Sequence, residues 1–326
     1  MGDVLVVAEY EENRIHPITF ELLGKANELS KKLNGKVRAV ILGRGVRDIA
    51  NELVYYGADT VHVYDNESLR FFNVLLYKEN IVSLIKKVSP DLVLIGATNK
   101  GRSLAPRIAA SLKTGLTADC IDIFVEKGRI IQVRPAFTGN IIAHIYTKTR
   151  PVLTTIRYRV MKPLKKDEER KGEIIVEDLK FSNSKGLKVL GKIRDKEVRI
   201  SDADIIVSFG RGIKRRDDIK MIKELADLLG GVVGASRPVV DEGWISKDHQ
   251  IGFSGNTVRP RLYMAFGISG SPQHLAGMKD SEIVIAVNID SSAPIFRYSD
   301  YCIVADLYHV IPNLIRRLKK IGGSNG

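Results

Sequence analysis

The 326-residue chain predicts an α/β fold built from two doubly wound, mostly parallel-sheet domains. Three observations carry this expectation. Short compact apolar runs alternate with longer segments whose apolar residues recur at helical spacing. The alternation breaks off in a charged, weakly periodic stretch after Lys162 and then restarts near Asp204. The length itself suits about two domains of ordinary size.

Asp3 to Glu9 reads as a buried strand. Thr19 then stands as a helix cap before Leu22, Leu23, Ala26, Leu29 and Leu33, and Asn34-Gly35 ends that helix. Val37 to Leu42 is the next strand, and a helix runs from Gly43-Arg44-Gly45 to near Gly57. Thr60 to Tyr64 and Leu92 to Ile95 are strands flanking a helix around Ile81 to Val88, and a further helix covers about Ser103 to Lys113. From Ile121 to Arg159 the character changes. Ile130 to Val133, Ile141 to Tyr146 and Val152 to Ile156 read as strands of a β-rich addition to the N-terminal domain. Residues from about 162 to 193 form a linker or a connecting edge strand, placing the boundary near Arg194 and the domains at 1–193 and 194–326.

The second domain opens with a strand over Asp204 to Phe209, followed at once by Gly210-Arg211-Gly212. Asp217 or Asp218 caps a helix with Ile219, Ile222, Leu225, Ala226 and Leu229 on one face, closed by Gly230-Gly231. Strands at Val232-Val233, Leu262 to Phe266, Ile283 to Val287 and Cys302 to Val304 each meet a small-residue turn. Val310, Leu314, Ile315 and Leu318 mark a last amphipathic helix before a frayed tail from Gly322.

Composition excludes several classes. Apolar residues make up 44% and charged residues 27%, the balance of a globular protein. No run approaches the roughly 18 apolar residues that span a bilayer, and no targeting segment is read at either end, so the cytoplasm is the expected compartment. Cys120 and Cys302 form no Cys-x-x-Cys, which removes a zinc ribbon and an iron–sulfur cluster held by four cysteines of this chain. Both thiols are expected to be core residues. His16, His62, His144, His249 and His309 show no metal-ligand spacing, and Trp244 reads as a packing residue. A net charge of +13 invites a nucleic-acid reading, but the basic residues are spread out and mixed with acids, as in Lys162 to Lys171. No nucleic-acid partner is expected; the charge suits an acidic protein partner or an anionic cofactor.

The chemistry concentrates in the second half. Gly210-Arg211-Gly212, Gly234-Ala235-Ser236-Arg237, Gly252-Phe253-Ser254-Gly255 and Gly267-Ile268-Ser269-Gly270 crowd small residues at strand ends. Glycine there lets backbone N–H groups approach a pyrophosphate, in the crevice where open α/β sheets bind cofactors. One such turn means little, since glycine also closes helices for structural reasons. Four on one sheet edge point to a nucleotide site, though not to the Gly-x-Gly-x-x-Gly fingerprint, because Arg215 replaces its third glycine. No Gly-x-Ser-x-Gly elbow or His-Glu-x-x-His occurs.

From about Gly210 to Leu314 these turns resemble, in order, the C-terminal domain of electron transfer flavoprotein alpha subunits. The resemblance rests on Gly234-Ala235-Ser236-Arg237, Val240-Asp241-x-Gly243-Trp244, Gln250-Ile251-Gly252-x-Ser254-Gly255, the run from Leu262 to Met278 with its Gln273-His274-Leu275-Ala276-Gly277, and Asn288-x-Asp290-x-x-Ala293-Pro294-Ile295-Phe296. The N-terminal half is similar more loosely, through Gly115 to Asp119 and Arg134 to Asn140. The resemblance implies an FAD-binding C-terminal domain and an N-terminal domain that contacts a beta subunit carrying its own FAD or AMP. It also implies transfer from a dehydrogenase or NADH to a quinone reductase or ferredoxin-type partner, without catalysis by this chain.

Carried over by position, Arg211 meets the FAD phosphates, and Ser236 and Arg237 sit at the flavin ring. Gln250, Ile251, Gly252, Phe253 and Ser254 line that ring, the Ser254 hydroxyl near N5. Ser269, Gly270, Ser271, Pro272, Gln273 and His274 wrap the flavin and ribityl-phosphate end, while Asn288, Asp306 and Leu307 hold the adenosine end. A buried Arg237 and a His274 imidazole donor are expected to favour the reduced, anionic flavin. Phe253 and Ser254 stand where many members carry glutamine and threonine, and Ser271-Pro272 where Ala-Ile is common, which is similar to the electron-bifurcating subgroup. The reading from another class is an NAD- or ADP-binding hydride-transferring dehydrogenase on the same type of sheet.

Overall fold

The computed structural model describes residues 2–11, 14–136, 141–180, 187, 189 and 200–322. The expected boundary near Arg194, residues 137–140 of the Arg134 to Asn140 turn and the tail beyond 322 lie outside the described residues. The chain divides into two compact units, Met1–Ile193 and Arg194–Gly326.

The first unit runs β1 (Val4–Val7), β2 (Tyr10–Glu11), β3 (Arg14–Ile15), α1 (Pro17–Leu33), β4 (Val37–Gly43), α2 (Ala50–Tyr55), β5 (Thr60–Asp65), α3 (Val74–Val88), β6 (Leu92–Gly96) and α4 (Asn99–Leu112). β7 (Leu116–Cys120), β8 (Asp122–Glu126), β9 (Arg129–Ala136), β10 (Ile141–Tyr146), β11 (Val152–Ile156) and β12 (Glu173–Val176) follow. The described strands form a parallel sheet in the order β12-β5-β4-β1-β6-β11-β7, with β8, β9 and β10 as a separate antiparallel sheet. Both faces of β1, β4 and β6 are buried, as continuous apolar runs demand. Ile18, Leu22, Ala26 and Leu29 of α1 pack on one face; Ile81, Leu84 and Ile85 of α3 and Leu104 and Ile108 of α4 pack on the other. Each of these leucine and isoleucine side chains, fully buried, stabilises the unit by about 1.5–3 kcal/mol.

Several elements differ from the sequence reading. His16, not Thr19, caps α1, its Nδ1 accepting from the Ile18 N–H at 3.2 Å. Pro17 starts the helix because its fixed φ and missing N–H suit the first helical position. The helix expected from Gly43 to Gly57 is confined to α2, and α3 begins seven residues before Ile81, at Val74, where the Asn73 carboxamide accepts from the Leu75 and Leu76 N–H groups. β11 belongs to the main sheet rather than the β-rich addition, and part of the expected linker forms β12, paired with β5 at the sheet edge.

The second unit runs β13 (Ile205–Phe209), α5 (Ile219–Leu228), β14 (Val232–Ala235), α6 (Arg237–Asp241), β15 (Leu262–Phe266), α7 (Pro272–Leu275), β16 (Ile283–Asn288), β17 (Tyr301–Val304) and α8 (Leu307–Gly322). Its parallel sheet has the order β14-β13-β15-β16-β17. Ile219, Ile222 and Leu225 of α5 and Leu307, Ile311 and Ile315 of α8 cover one face, and Ile206, Tyr263, Met278 and Val284 fill the other. Cys120 is buried, but Cys302 is exposed, because β17 is the edge strand of the second sheet. No helix among the described residues is long and apolar enough to cross a membrane.

From β13 the chain steps through α5 to β14 on one side, whereas β15 lies on the other. The strand order therefore reverses between β13 and β15. That reversal leaves a crevice at their carboxyl ends, the place where doubly wound sheets bind ligands.

Candidate cofactor site

A cavity of about 440 Å³ opens at that crevice. Gly210, Arg211 and Gly212 leave β13, and Gly267, Ile268, Ser269 and Gly270 leave β15, on its two sides. The two turns are fastened together, the Gly212 N–H donating to the Gly267 carbonyl at 3.1 Å and the Gly210 N–H to the Phe266 carbonyl at 3.0 Å. Their approach leaves no room for side chains: a Cβ on Gly212 would lie 2.5 Å from Gly267 Cα, and one on Gly267 2.6 Å from Gly212 Cα. Gly267 also holds φ at +61°, a conformation that favours glycine. Gly270, at φ +86°, lies against the Ile295 backbone, whose N–H donates to the Ser269 carbonyl.

Of the residues singled out from sequence, Arg211, Ser236, Ser269, Gly270, Ser271, His274, Asn288, Asp306 and Leu307 line this one cavity. The Asn288 amide donates to the Ile268 carbonyl at 3.0 Å and so ties β16 to the glycine turn. Asp306 accepts from the Tyr308 N–H at 2.9 Å. Lys214 and Asp290 also line the cavity and were not singled out. Lys214 lies four residues past Gly210 in a basic run, and its register with the turn was the available signal.

The remaining residues form an adjoining loop. Gln250 is buried and donates to the Ser254 hydroxyl at 3.0 Å. The Phe253 N–H donates to the Gln273 carbonyl at 2.7 Å, and Phe253 is 66% exposed. Gly252, at φ +144°, passes so close to Gln273 that a Cβ would meet its carbonyl oxygen at 2.9 Å. Pro272 starts the short helix α7 and, like Gln273, is exposed at its surface.

Two expectations change. Arg237 is not buried: its side chain is 67% exposed and pairs with Asp241 at 3.1 Å one helical turn on. His274 is buried, and both ring nitrogens already face protein oxygens, Nδ1 at 3.1 Å from the Ile251 carbonyl and Nε2 at 2.9 Å from the Tyr263 hydroxyl. Burial pushes its pKa down to about 4, against a smaller upward effect of the Ile251 carbonyl, so the ring is neutral at neutral pH. It offers no free N–H to a cofactor in this arrangement.

A glycine-walled crevice at the reversal of a parallel sheet is the mark of a nucleotide-cofactor-binding protein of the doubly wound class. The electron transfer flavoprotein domain matches residues 4–182, and the electron transfer flavoprotein FAD-binding domain matches residues 199–279. The alpha subunit of electron transfer flavoprotein from Thermoanaerobacterium thermosaccharolyticum is 46% identical over 98% of both chains. That from Megasphaera elsdenii is 42% identical over 98% of this chain and 97% of its own. Lactate dehydrogenase (NAD(+),ferredoxin) subunit LctC of Acetobacterium woodii is 42% identical over 97% of this chain and 77% of its own. The chain belongs to the electron transfer flavoprotein family, as an alpha subunit. Its cofactor is FAD, and it is an electron carrier rather than an enzyme in its own right.

The cavity residues fit that cofactor. Close glycine backbones suit a pyrophosphate, Arg211 and Lys214 supply positive charge, and Asp290 and Asp306 can accept from ribose or adenine donors.

Proposed function

We propose that the cavity between β13 and β15 is the FAD site and that the chain works as a carrier paired with a beta subunit. The glycine cradle of Gly212 and Gly267 carries this reading: two backbones in mutual contact, at the one place in the sheet where a pyrophosphate can lie against them. Arg211 and Lys214 neutralise the phosphates, Asn288, Asp306 and Leu307 hold the adenosine end, and Ser269 to Gln273 wrap the middle of the cofactor. Ser236, Arg237 and the loop Gln250 to Ser254 face the ring. Arg237 acts as a solvent-screened charge at its rim and therefore tunes the flavin less than a buried guanidinium does. FAD supplies the redox chemistry; the chain binds it, orients it and sets the polarity around it.

The first unit is proposed to bind the beta subunit, which holds its own FAD or AMP. A dehydrogenase or NADH supplies the electrons, and a quinone reductase or a ferredoxin-type protein takes them, in the cytoplasm. The names of two relatives support such partners: LctC, and the acryloyl-CoA reductase electron transfer subunit beta of Anaerotignum propionicum, 37% identical over 98% of this chain. The pairing of NAD(+) with ferredoxin in the first name favours flavin-based bifurcation, which requires a second flavin on the beta subunit.

The deciding experiment is a visible spectrum of the chain purified with its beta subunit. Flavin absorbance that is retained by the native pair and lost on Gly267→Ala is the expected result. A pair that stays colourless and takes up no added FAD overturns the proposal.

A further inference from the structure

Tyr263 lies on β15 with its ring wholly buried. Its hydroxyl is 2.9 Å from Nε2 of His274, and the two rings meet at 6.2 Å between centroids. The other ring nitrogen, Nδ1, is 3.1 Å from the Ile251 carbonyl. A carbonyl oxygen only accepts, so Nδ1 carries the hydrogen. A neutral imidazole has one N–H, so Nε2 is a lone pair and Tyr263 is its donor. Ser208 on β13 shares the sheet face of Tyr263, because Ile206 is the register partner of Tyr263 and Ser208 follows two residues on. Its buried hydroxyl has no hydrogen-bond partner among the described residues, although it lies near enough to the phenol to oppose the rise in Tyr263 pKa that burial causes.

We infer that Tyr263 is a positioning residue for the cofactor site: its hydroxyl, donating to Nε2, fixes the ring plane of His274 at the cavity wall in the Nδ1–H tautomer that the Ile251 carbonyl sets. The inference rests on reading the cavity as the FAD site. Its consequence is a condition on His274. The ring turns Nε2 toward a cofactor only by breaking the bond to Tyr263. It carries a proton on Nε2 while keeping the Ile251 bond only if Tyr263 becomes an acceptor and sends its own hydrogen elsewhere. Ser208 Oγ is a buried hydroxyl oxygen on the same sheet face, without a hydrogen-bond partner among the described residues, and is the candidate to receive it.

Nitrogen-15 NMR of the histidine-labelled native pair, FAD bound, tests this directly, with the His274 signal assigned by its loss in His274→Asn. The expected spectrum shows a protonated Nδ1 and an Nε2 shifted by an accepted hydrogen bond. Tyr263→Phe keeps the ring volume, moves Nε2 to the position of an unbonded nitrogen and weakens FAD binding about fivefold to tenfold, the loss of one hydrogen bond. That weakening disappears in the His274→Asn background, because Tyr263 acts through the imidazole. A native spectrum with the proton on Nε2, an Nε2 unmoved in Tyr263→Phe, or additive effects of the two substitutions each overturn the assignment. Should Tyr263→Phe not fold, the native spectrum alone decides. Should the native pair hold no FAD, the cofactor reading fails, while the Nε2 signal of the FAD-free pair, compared with that of Tyr263→Phe, still tests the role of Tyr263.

Discussion

Both units contain a parallel sheet with a reversal of strand order beside its first strand, between β1 and β6 in the first and between β13 and β15 in the second. The two reversals have different fates. In the second unit glycine turns hold the crevice open as a cavity. In the first, the chain fills the place itself: the Thr98 hydroxyl donates to the Glu9 carboxylate at 2.6 Å, the Glu9 N–H donates to the Thr19 hydroxyl at 3.0 Å, and Ile18 packs onto Gly96. A carboxylate stands where a ligand anion can stand on this fold. A sheet reversal is thus an opportunity, and the side chains beside it decide whether it becomes a site.

Substitutions that exchange these properties test the comparison. The largest effect is expected from Gly267→Ala, which combines a positive φ with a clash against Gly212; stability falls by about 3 kcal/mol and flavin is lost. Gly128→Ala in the first unit is the control. It has φ +72° but open space around it, so it costs about 1 kcal/mol and leaves the flavin content alone. Equal flavin loss in both variants removes the cradle from the explanation.

Acidification comes next. The unfolded chain protonates His274 near pH 6.5, whereas the folded chain resists until about pH 4. The stability that neutral His274 contributes is therefore complete above pH 6.5 and is lost between those values, by about 3 kcal/mol at the lower end, within the second unit. Hydrogen exchange of the β15 amides across that range shows the slope, and His274→Asn flattens it. A slope unchanged in that variant assigns the acid sensitivity to another group.

Arg211→Ala is expected to weaken FAD binding by about tenfold, a single charged phosphate contact, without changing the unfolding midpoint. Titration of FAD-depleted protein measures it, and an unchanged affinity removes Arg211 from the site. The smallest effect belongs to Glu9→Ala, which costs the first unit about 1 kcal/mol and leaves the flavin spectrum as it was. Calorimetry with ADP shows no new binding in that variant, because Ile18 still occupies the crevice. New binding there means that the carboxylate alone had closed it.

The alternation of apolar runs and helical segments made the parallel sheets legible, because buried strands and amphipathic helices bear local signatures. β11 was misplaced for a physical reason. Val152-Leu153-Thr154-Thr155-Ile156 is buried throughout, and nothing local says whether its neighbours are β6 and β7 or an antiparallel hairpin. The start of α3 was missed because Asn73 caps it ahead of Leu75 and Leu76, which carry no polar face to set the period. In the site, the glycine turns were readable because close backbone contact needs glycine. Tyr263 was not, since in Leu262 to Phe266 it reads as one more apolar strand residue, and its donor role depends on His274, eleven positions later. The exposure of Arg237 was equally hidden, being set by Asp241 on the same short helix.

The first unit also holds a second internal carboxylate. Glu21 of α1 is buried and accepts from the N–H groups of Arg159, Val160 and Met161, with Arg159 at φ +61°. Burial raises its pKa, and the three N–H groups only partly offset that rise. Such a tethered acceptor sits at an effective concentration far above that of any dissolved anion, on the order of molar or more for a well-oriented group. Sulfate, phosphate or a nucleotide at millimolar levels cannot displace it. The amide cluster beside α1 is therefore saturated as soon as the chain folds, and it offers a dissolved phosphate no vacant donor.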